Sequence, residues 1–178
     1  MRTLKYAILG LLMERPMAGY DIMKAFSEKL NEFWYAKHSQ IYPELKRLEE
    51  EGLVSCQVRL TGEVMEKKFY TITPAGIADF RQWLDCETPL EPTPKDVFRL
   101  KTFFSQFLSR ESQIGLTQSQ IRLHEERLSH LLEEFGKFPS VPAPNDSRLG
   151  DYMILEHGVM REQMTIQWLN HCLDYLNR

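Results

Sequence analysis

Apolar residues follow helical spacing in three successive segments at the start of the chain. In residues 4–12 and 17–30 they recur three and four positions apart, which predicts two amphipathic helices separated by Pro16. The third segment has the sequence HSQIYPELKRLEEEGLV and places Ile41, Leu45 and Leu48 on one face. The pattern therefore predicts three helices, each with one side turned towards a core.

The third predicted helix carries several polar groups beside its apolar face. Ser39 is expected to be the N-cap, and Pro43 is tolerated because backbone N–H groups near the first turn lack an intrahelical partner. Gly52 is expected to end the helix. The side chains that point away from the apolar face are an amide, a phenol and two cations: Gln40, Tyr42, Lys46 and Arg47.

The period of the pattern changes from helical to two after Gly52. Residues 54–60 alternate apolar and polar side chains, and MEKKFYTIT forms a second β-rich run after a turn at residues 61–63. A further helix is expected to open at Pro74 and to contain Phe80 and Trp83. The first half therefore has the element order helix, helix, helix, strand, strand, helix.

The segment CETPLEPTPKD, residues 86–96, contains three prolines and is the best domain boundary in the chain. Beyond it every pattern is helical. We expect a short helix within residues 97–108, a longer one capped by Ser109 that runs to about residue 135, and a last one capped by Asp146. The sequence thus predicts a mostly α protein with an N-terminal α+β domain, residues 1–88, and an all-helical domain, residues 89–178.

The last predicted helix has the strongest periodicity in the chain. Its apolar residues alternate by four and three with one polar interruption at Glu162, as in the a/d seam of a coiled coil. One interpretation is that the seam packs within its own chain. We favour the other, a homodimer interface, because two short domains offer little else for so long a helix to cover. The seam consists of Tyr152, Leu155, Val159, Ile166, Leu169, Leu173 and Leu176.

Composition narrows the classes of function. The net charge of −3 excludes a uniformly basic nucleic-acid coat, so any nucleic-acid binding must come from local clusters of cations. The three cysteines include no Cys-x-x-Cys pair, which favours unpaired and inert thiols in a reducing cytoplasm. The early apolar run YAILGLLM is too short to cross a bilayer and lacks a cleavage site. We therefore expect a cytoplasmic protein without a membrane partner.

The sequence offers no motif for catalysis. It contains no Ser-His-Asp arrangement, Cys-His pair or glycine-rich phosphate loop, and its five histidines lack metal-ligand spacing. We therefore expect no catalytic residue, no metal and no cofactor. Residues from distant segments can still assemble a site in space, so an enzyme stays a weaker alternative.

Three helices followed by a hairpin are the element order of a winged helix-turn-helix domain. In such domains the helix before the wing enters the major groove of DNA, while nearby cations contact phosphates. The predicted DNA-binding residues are Lys37, Ser39, Gln40, Tyr42, Pro43, Lys46, Arg47, Lys67 and Lys68. The simpler interpretation is a solvated helix face with internal ion pairs, and lysines that protect the edge of a short hairpin. Spacing alone favours DNA only slightly.

Four segments of the first half resemble the PadR family of bacterial transcriptional regulators: LKYAILGLL, AGYDIMKAF, FWYAKHSQIYPELKRLEEEGLV and EKKFYTITPAGIADFRQWL. DVFRLKTFF and the last helix resemble the larger C-terminal domain of the subgroup that controls phenolic acid decarboxylase genes. The resemblance implies a homodimeric repressor that binds a palindromic operator in double-stranded DNA. It also implies that phenolic acids such as p-coumaric or ferulic acid relieve the repression.

A hydroxycinnamic acid needs a flat apolar slot, a polar group for its phenol and a cation or donor for its carboxylate. The aromatic cluster just before the recognition helix, where the winged domain would meet the C-terminal helices, is the place we expect for it. The predicted effector-binding residues are Tyr6, Trp34, His38, His157 and Arg161. Ordinary packing is the alternative for each of them.

Two further functions stay open on the sequence. A winged helix can serve as a protein-interaction adaptor that reads no DNA, which the negative net charge mildly favours. Within the regulators, a multidrug-sensing relative would accept bulky cationic aromatics in place of phenolic acids. The histidines and Arg161 suit an anionic ligand slightly better.

Overall fold

The computed structural model describes residues 2–30, 33–34, 36–61 and 65–178, without the side chains of residues 38, 60, 61, 65 and 66. The chain divides into two compact units, residues 1–90 and residues 91–178. The division lies inside the proline-rich stretch in which the sequence places the domain boundary. The architecture is mostly helical with one small antiparallel sheet, which confirms the predicted fold class.

The first unit follows the predicted element order with one addition. α1 spans Thr3–Glu14, the short strand β1 spans Met17–Ala18, and α2 spans Gly19–Ala25 and continues as a π-helical turn over Phe26–Leu30. The remaining elements are α3 (His38–Glu50), β2 (Val54–Thr61), β3 (Met65–Ile72) and α4 (Pro74–Leu84). β1 pairs with the outer edge of β3, so the sheet order is β1-β3-β2. Two residues are too few for an alternating pattern, which is why the sequence did not reveal this strand.

The core of the first unit lies between its helices. Burying each large aliphatic side chain of such a core contributes about 1.5–3 kcal/mol relative to leaving it exposed. The fully buried members are Ile8, Leu9, Ile22, Ile41, Leu45 and Leu48. The last three are the predicted apolar face of the third helix, so that prediction is confirmed. One face of α3 is therefore held in the core, and its other face is left to solvent.

The end of α3 is joined to the start of α4. Gly52 has a φ of 69°, in the left-handed region that favours glycine, and ends the helix as expected. The hydroxyl of Thr73 donates to the carbonyl of Gly52 at 2.7 Å and accepts from the N–H of Gly76 at 3.1 Å. One threonine thus caps α4 and ties it to the turn that follows α3.

The second unit contains helices only, among the residues described. α5 spans Val97–Phe103, a 3₁₀ turn covers Ser105–Phe107, α6 spans Arg110–Phe135 and α7 spans Leu149–Leu176. Ser109 caps α6 as expected, because its hydroxyl accepts from the N–H of Ser112 at 3.2 Å. The N-cap of α7 is Arg148, so the expectation of Asp146 was wrong. The carboxylate of Asp146 instead accepts from the N–H of Arg148 at 2.9 Å and so supports the residue that begins the helix.

The apolar seam of α7 packs within its own chain at its most buried positions. Leu155 and Val159 form a cluster with Leu131 of α6, and Leu169 is fully buried. Leu155, Val159 and Leu169 are therefore covered by their own chain, and a role of the seam in the homodimer interface stays a prediction. The half-buried members of the seam are Tyr152, Ile166, Leu173 and Leu176.

Candidate DNA-binding surface and effector cavity

The outer face of α3 and the residue before it present a continuous set of exposed side chains. All seven residues predicted there for DNA contact are exposed: Lys37, Ser39, Gln40, Tyr42, Pro43, Lys46 and Arg47. Tyr42 remains 49% exposed although it is a large aromatic residue. Lys46 lies 3.7 Å from Glu50 one turn later, a solvated pair that costs little to separate. The surface therefore offers an amide, a phenol and cations to a partner.

The start of α3 differs from the sequence-based expectation. Lys37 is the N-cap, and its N–H donates to Oε1 of Gln40 at 3.3 Å, so Ser39 lies in the first turn and is not the cap. Pro43 is the sixth residue of the helix, beyond the first turn, and it removes the hydrogen bond that the carbonyl of Ser39 would accept. Both residues are exposed, so water can solvate that carbonyl.

The hairpin after α3 carries three exposed cations. Lys67 and Lys68, predicted to contact phosphates, are exposed on β3. Arg59 of β2 lies directly opposite Lys67, and its guanidinium is 5.0 Å from the centre of the Phe69 ring. Like charges at directly opposed strand positions destabilise a hairpin. Binding of an anion such as a phosphate between Arg59 and Lys67 would reduce this repulsion, so the pair favours phosphate contact. The sequence showed Arg59 only as a polar member of an alternating strand, because its neighbour depends on the register of the hairpin.

The first unit also contains an apolar cavity of about 400 Å³. Tyr6 and Trp34, two of the predicted effector residues, line it together with Phe80 and Trp83. The ring of Tyr6 stacks on that of Trp83, with centroids 4.4 Å apart and 4° between the planes. Sequence reasoning placed Phe80 and Trp83 on a helix but not in an effector site, because helical spacing looks the same for a packed face and for a cavity wall.

A charged pair lines the same cavity. The ammonium of Lys29 lies 2.7 Å from a carboxylate oxygen of Glu14, and both side chains are 56% exposed. The cavity thus combines aromatic walls with one cation and one carboxylate, the composition expected for an orienting small-molecule site. Neither Lys29 nor Glu14 was among the predicted effector residues.

The three remaining effector predictions lie elsewhere. The side chain of His38 falls outside the described residues. His157 is exposed on α7, and Arg161 one turn later donates to Glu162 at 2.9 and 3.2 Å. His157 and Arg161 belong to the second unit, and their role in effector binding stays a prediction.

Glu162, the polar interruption of the seam, is the centre of a buried charge cluster. Its carboxylate contacts Nδ1 of His124, lies 3.4 Å from Arg127 and accepts from Arg161. Burial raises the pKa of Glu162, but hydrogen bonds from His124 and Arg161 outweigh burial and leave the pKa below its ordinary value. Cations of α6 and α7 therefore stabilise one buried anion between the two helices.

Metal-binding clusters, cysteine thiols and long apolar helices are three further features that bear on function. Among the described residues, no three or more metal-binding side chains come together. Burial raises the pKa of the Cys56 and Cys172 thiols, which favours their unreactive protonated form. Across the part of the chain that the structure describes, every helix is too short or too polar to cross a membrane.

Each of the two units matches the model of a known protein family. The model of the "Transcriptional regulator PadR-like family" matches residues 8–82, and that of "Virulence activator alpha C-term" matches residues 94–177. The chain is 39% identical over 181 residues to the negative transcriptional regulator PadR of Bacillus subtilis (strain 168), across the full length of both chains. The chain belongs to the PadR-like family of transcriptional regulators. The resemblance found in the sequence is confirmed.

Two crystal structures show how far the likeness to PadR-like regulators extends. The structure of B. subtilis PadR in complex with operator DNA has a TM-score of 0.93 and 39% identity, covering 98% of this chain and 99% of that chain. The structure of B. subtilis PadR in complex with p-coumaric acid has a TM-score of 0.89 and 37% identity, covering 99% of this chain and 100% of that chain. The segment matched to the PadR-like family contains all nine predicted DNA-binding residues.

Proposed function

We propose that the chain is a transcriptional repressor that binds a palindromic operator as a homodimer and releases it when a phenolic acid binds. The observation that carries this proposal is the exposed polar face of α3 beside the Arg59–Lys67 pair, in a chain with a TM-score of 0.93 to PadR in complex with operator DNA. The regulated gene would encode a phenolic acid decarboxylase. The regulator would act in the cytoplasm, where its DNA lies.

In this proposal α3 lies in the major groove and reads base edges from its exposed face. Gln40 pairs with an adenine, Arg47 or Lys46 with a guanine, and the ring of Tyr42 packs against a thymine methyl. Gln40 must first release the N–H of Lys37 that it caps, which costs about 1 kcal/mol. Reading an adenine through Gln40 is thus coupled to a change at the start of the helix.

Phosphate contacts supply most of the affinity and depend on salt. Because the chain carries a net charge of −3, the attraction must come from the local cations of α3 and the hairpin. Each phosphate that such a cation neutralises changes the slope of log Kobs against log salt by about 0.9. The cations available on the hairpin are Arg59, Lys67 and Lys68.

The effector site proposed here is the aromatic cavity lined by Tyr6, Trp34 and Trp83. A hydroxycinnamic acid is flat and aromatic, so its ring would lie against these side chains, while a cation would bind its carboxylate. Lys29 lines the cavity and would exchange Glu14 for the carboxylate of the ligand. His157 and Arg161, in the second unit, stay separate predictions for effector binding.

The homodimer requires an apolar surface that the single chain leaves exposed, and two sets of residues in the second unit are our candidates for it. Phe103 and Phe107, in α5 and the turn after it, are 76% and 81% exposed. α7 exposes a second set of large apolar residues away from its buried seam: Met153, Met160, Met164 and Trp168. Exposed apolar residues on this scale mark protein interfaces. We propose that both sets contact a second copy and hold the two α3 helices about 34–36 Å apart, one turn of DNA.

The decisive experiment captures fragmented genomic DNA from the source organism on immobilised protein and elutes it with p-coumaric acid. Enrichment of one palindromic promoter that the acid releases supports the whole proposal. Enrichment without release keeps the DNA-binding function and removes the phenolic effector. If no fragment is enriched at modest salt, the result contradicts DNA binding and favours the winged-helix adaptor.

A second candidate is a PadR-like repressor with a cationic aromatic effector. The observation that favours it is Glu14, a carboxylate that lines the aromatic cavity. A bulky cation such as tetraphenylphosphonium would then displace Lys29 from Glu14 and release DNA, whereas p-coumaric acid would not. Parallel elutions with the two compounds separate the candidates.

A further inference from the structure

Arg2 lies at the start of α1, but its side chain binds α3. Its Nε donates to the carboxylate of Glu44 at 2.7 Å, and its two terminal nitrogens donate to the two carboxylate oxygens of Glu51 at 2.5 and 2.8 Å. All three guanidinium nitrogens therefore bind carboxylates in the middle of α3 and at its C-cap. Bidentate guanidinium–carboxylate bonds fix orientation as well as distance.

The two carboxylates give Arg2 two separate contact points at α3. Glu44 lies in the middle of α3 and Glu51 is its C-cap, seven residues later, so the two carboxylates are separated by about 10 Å along the axis. Glu44 is only 5% exposed, and a buried carboxylate requires a partner. The hydrogen bond from Arg2 holds the pKa of Glu51 below its ordinary value, so this carboxylate is charged at neutral pH. Arg2 thus links the start of α1 to the middle and the C-terminal end of α3.

An arginine beside a recognition helix would ordinarily be assigned to a DNA phosphate. Arg2 even shares a polar cavity of about 490 Å³ with the DNA-contact candidates Ser39, Gln40 and Arg47. Its guanidinium, however, already binds two carboxylates, so it would have to break these ion pairs before it could contact a phosphate. The geometry does not favour a direct contact between Arg2 and a DNA phosphate.

We propose that Arg2 is a positioning residue for operator recognition, which sets the angle at which α3 presents Gln40, Tyr42 and Arg47 to base edges. The proposal rests on the function proposed above. Base contacts demand a defined orientation, whereas phosphate contacts tolerate a small rotation. Loss of Arg2 therefore lowers specificity and leaves non-specific binding intact.

The test compares Arg2→Gln with Lys67→Gln in the full chain, on operator DNA and on a scrambled duplex over a range of salt. Arg2→Gln is expected to weaken operator binding about tenfold, change scrambled-DNA binding less than twofold and keep the salt slope. Lys67→Gln is expected to weaken both duplexes alike and to reduce the slope by about 1. A reduced slope with equal losses on both duplexes in Arg2→Gln would overturn the proposal.

Glu51→Gln distinguishes the two roles of Arg2, because they predict opposite changes in the affinity for DNA. If Arg2 positions α3, removing its partner weakens operator binding as Arg2→Gln does. If Arg2 were a phosphate contact held back by Glu51, the same change would release it and tighten binding to both duplexes. Tightening would therefore overturn the proposal.

A measurement without DNA separates this inference from the function on which it rests. Hydrogen exchange of the amides between residues 44 and 51 should accelerate at least threefold in Arg2→Gln, with exchange in α6 and α7 unchanged. Unchanged exchange in α3 would overturn the positioning role. A wild-type protein that bound no DNA would end the proposed function, while the exchange result would still decide whether Arg2 positions the helix.

Discussion

A β-carbon at position 19 would lie 2.8 Å from Cε1 of Tyr42, so the bare backbone of Gly19 makes room for the aromatic ring that α3 exposes. Gly19 is buried at the first position of α2, and Tyr42 is 49% exposed. The glycine therefore determines where the ring of Tyr42 lies. A side chain at position 19 would push against the end of a movable ring and not against backbone.

Gly19→Ala should weaken operator binding about fivefold, close to 1 kcal/mol, because Tyr42 must shift. Its melting temperature should stay near that of the wild type, since the displaced ring is exposed. Gly115→Ala is the matched control, because an added β-carbon there meets nothing within 4 Å. Wild-type affinity in Gly19→Ala would show that the position of the Tyr42 ring does not matter for binding.

Tyr42→Ala should weaken specific operator binding while the protein remains a dimer. A base contact of this kind contributes about 1–3 kcal/mol, so affinity is expected to fall by about 5- to 150-fold. Tyr42→Phe separates the two roles of the side chain: it keeps the ring for a thymine methyl and removes the hydroxyl for a phosphate. Fluorescence anisotropy with labelled operator measures both. Unchanged affinity in Tyr42→Ala would mean that α3 is not the recognition helix.

Tyr6→Ala should weaken p-coumaric acid binding about tenfold and leave operator binding without ligand nearly unchanged. The ring of Tyr6 stacks on Trp83 in the cavity wall, and such aromatic contacts contribute about 0.5–1.5 kcal/mol beyond their burial. Quenching of tryptophan fluorescence provides the titration, because Trp34 and Trp83 line the cavity. Met13→Ala on the same helix, at an exposed residue outside the cavity lining, should behave as wild type.

Met164→Glu should produce a folded monomer, whereas Leu169→Glu should lower stability by several kcal/mol. Met164 is 62% exposed on α7, so a charge there is harmless until a second chain covers it. Leu169 is fully buried within the chain, so its replacement places an unpaired charge in the core. Sedimentation velocity and urea unfolding distinguish the two effects. If the Met164→Glu protein remained a dimer, the exposed face of α7 would not be part of the interface.

Glu162→Gln should destabilise the protein at neutral pH by about 1–3 kcal/mol, because His124 and Arg161 lose a charged acceptor. Since the folded-state pKa of Glu162 lies below the ordinary value of 4.5, its stabilisation is complete above that value. It is lost as the pH falls through the folded-state pKa. The difference in unfolding free energy between wild type and Glu162→Gln should therefore shrink below about pH 4.5. Glu156→Gln, at an exposed site on the same helix, is the control; a difference that stays constant down to pH 3 would contradict the account.

Most of the fold could be predicted because it depends on local periodicity. Ile41, Leu45 and Leu48 are fully buried as their spacing required, and Tyr42 and Lys46 point to solvent. The features that the sequence could not predict also have a physical reason. The alternation by four and three in α7 is the same whether the partner helix belongs to the same chain or to another, so the seam alone could not decide between α6 and a second copy.

The cap of α3 shows a second limit. Ser39 has the right side chain for an N-cap, but the amide of Gln40 bonds the N–H of Lys37 and the helix begins earlier. Competing caps a few residues apart differ by about 1 kcal/mol, which is less than packing against the core contributes. Helix ends are therefore decided by the surrounding structure.

By itself the sequence determined the helices, the hairpin, the exposed face of α3 and membership of the PadR-like family, because all of these follow from short segments and their order. Only the tertiary structure decided which distant groups meet. Arg2 binds Glu44 and Glu51 across 42 and 49 positions, and Arg59 faces Lys67 across the hairpin. Such contacts depend on how the core packs and on the strand register, and they leave no trace in local periodicity.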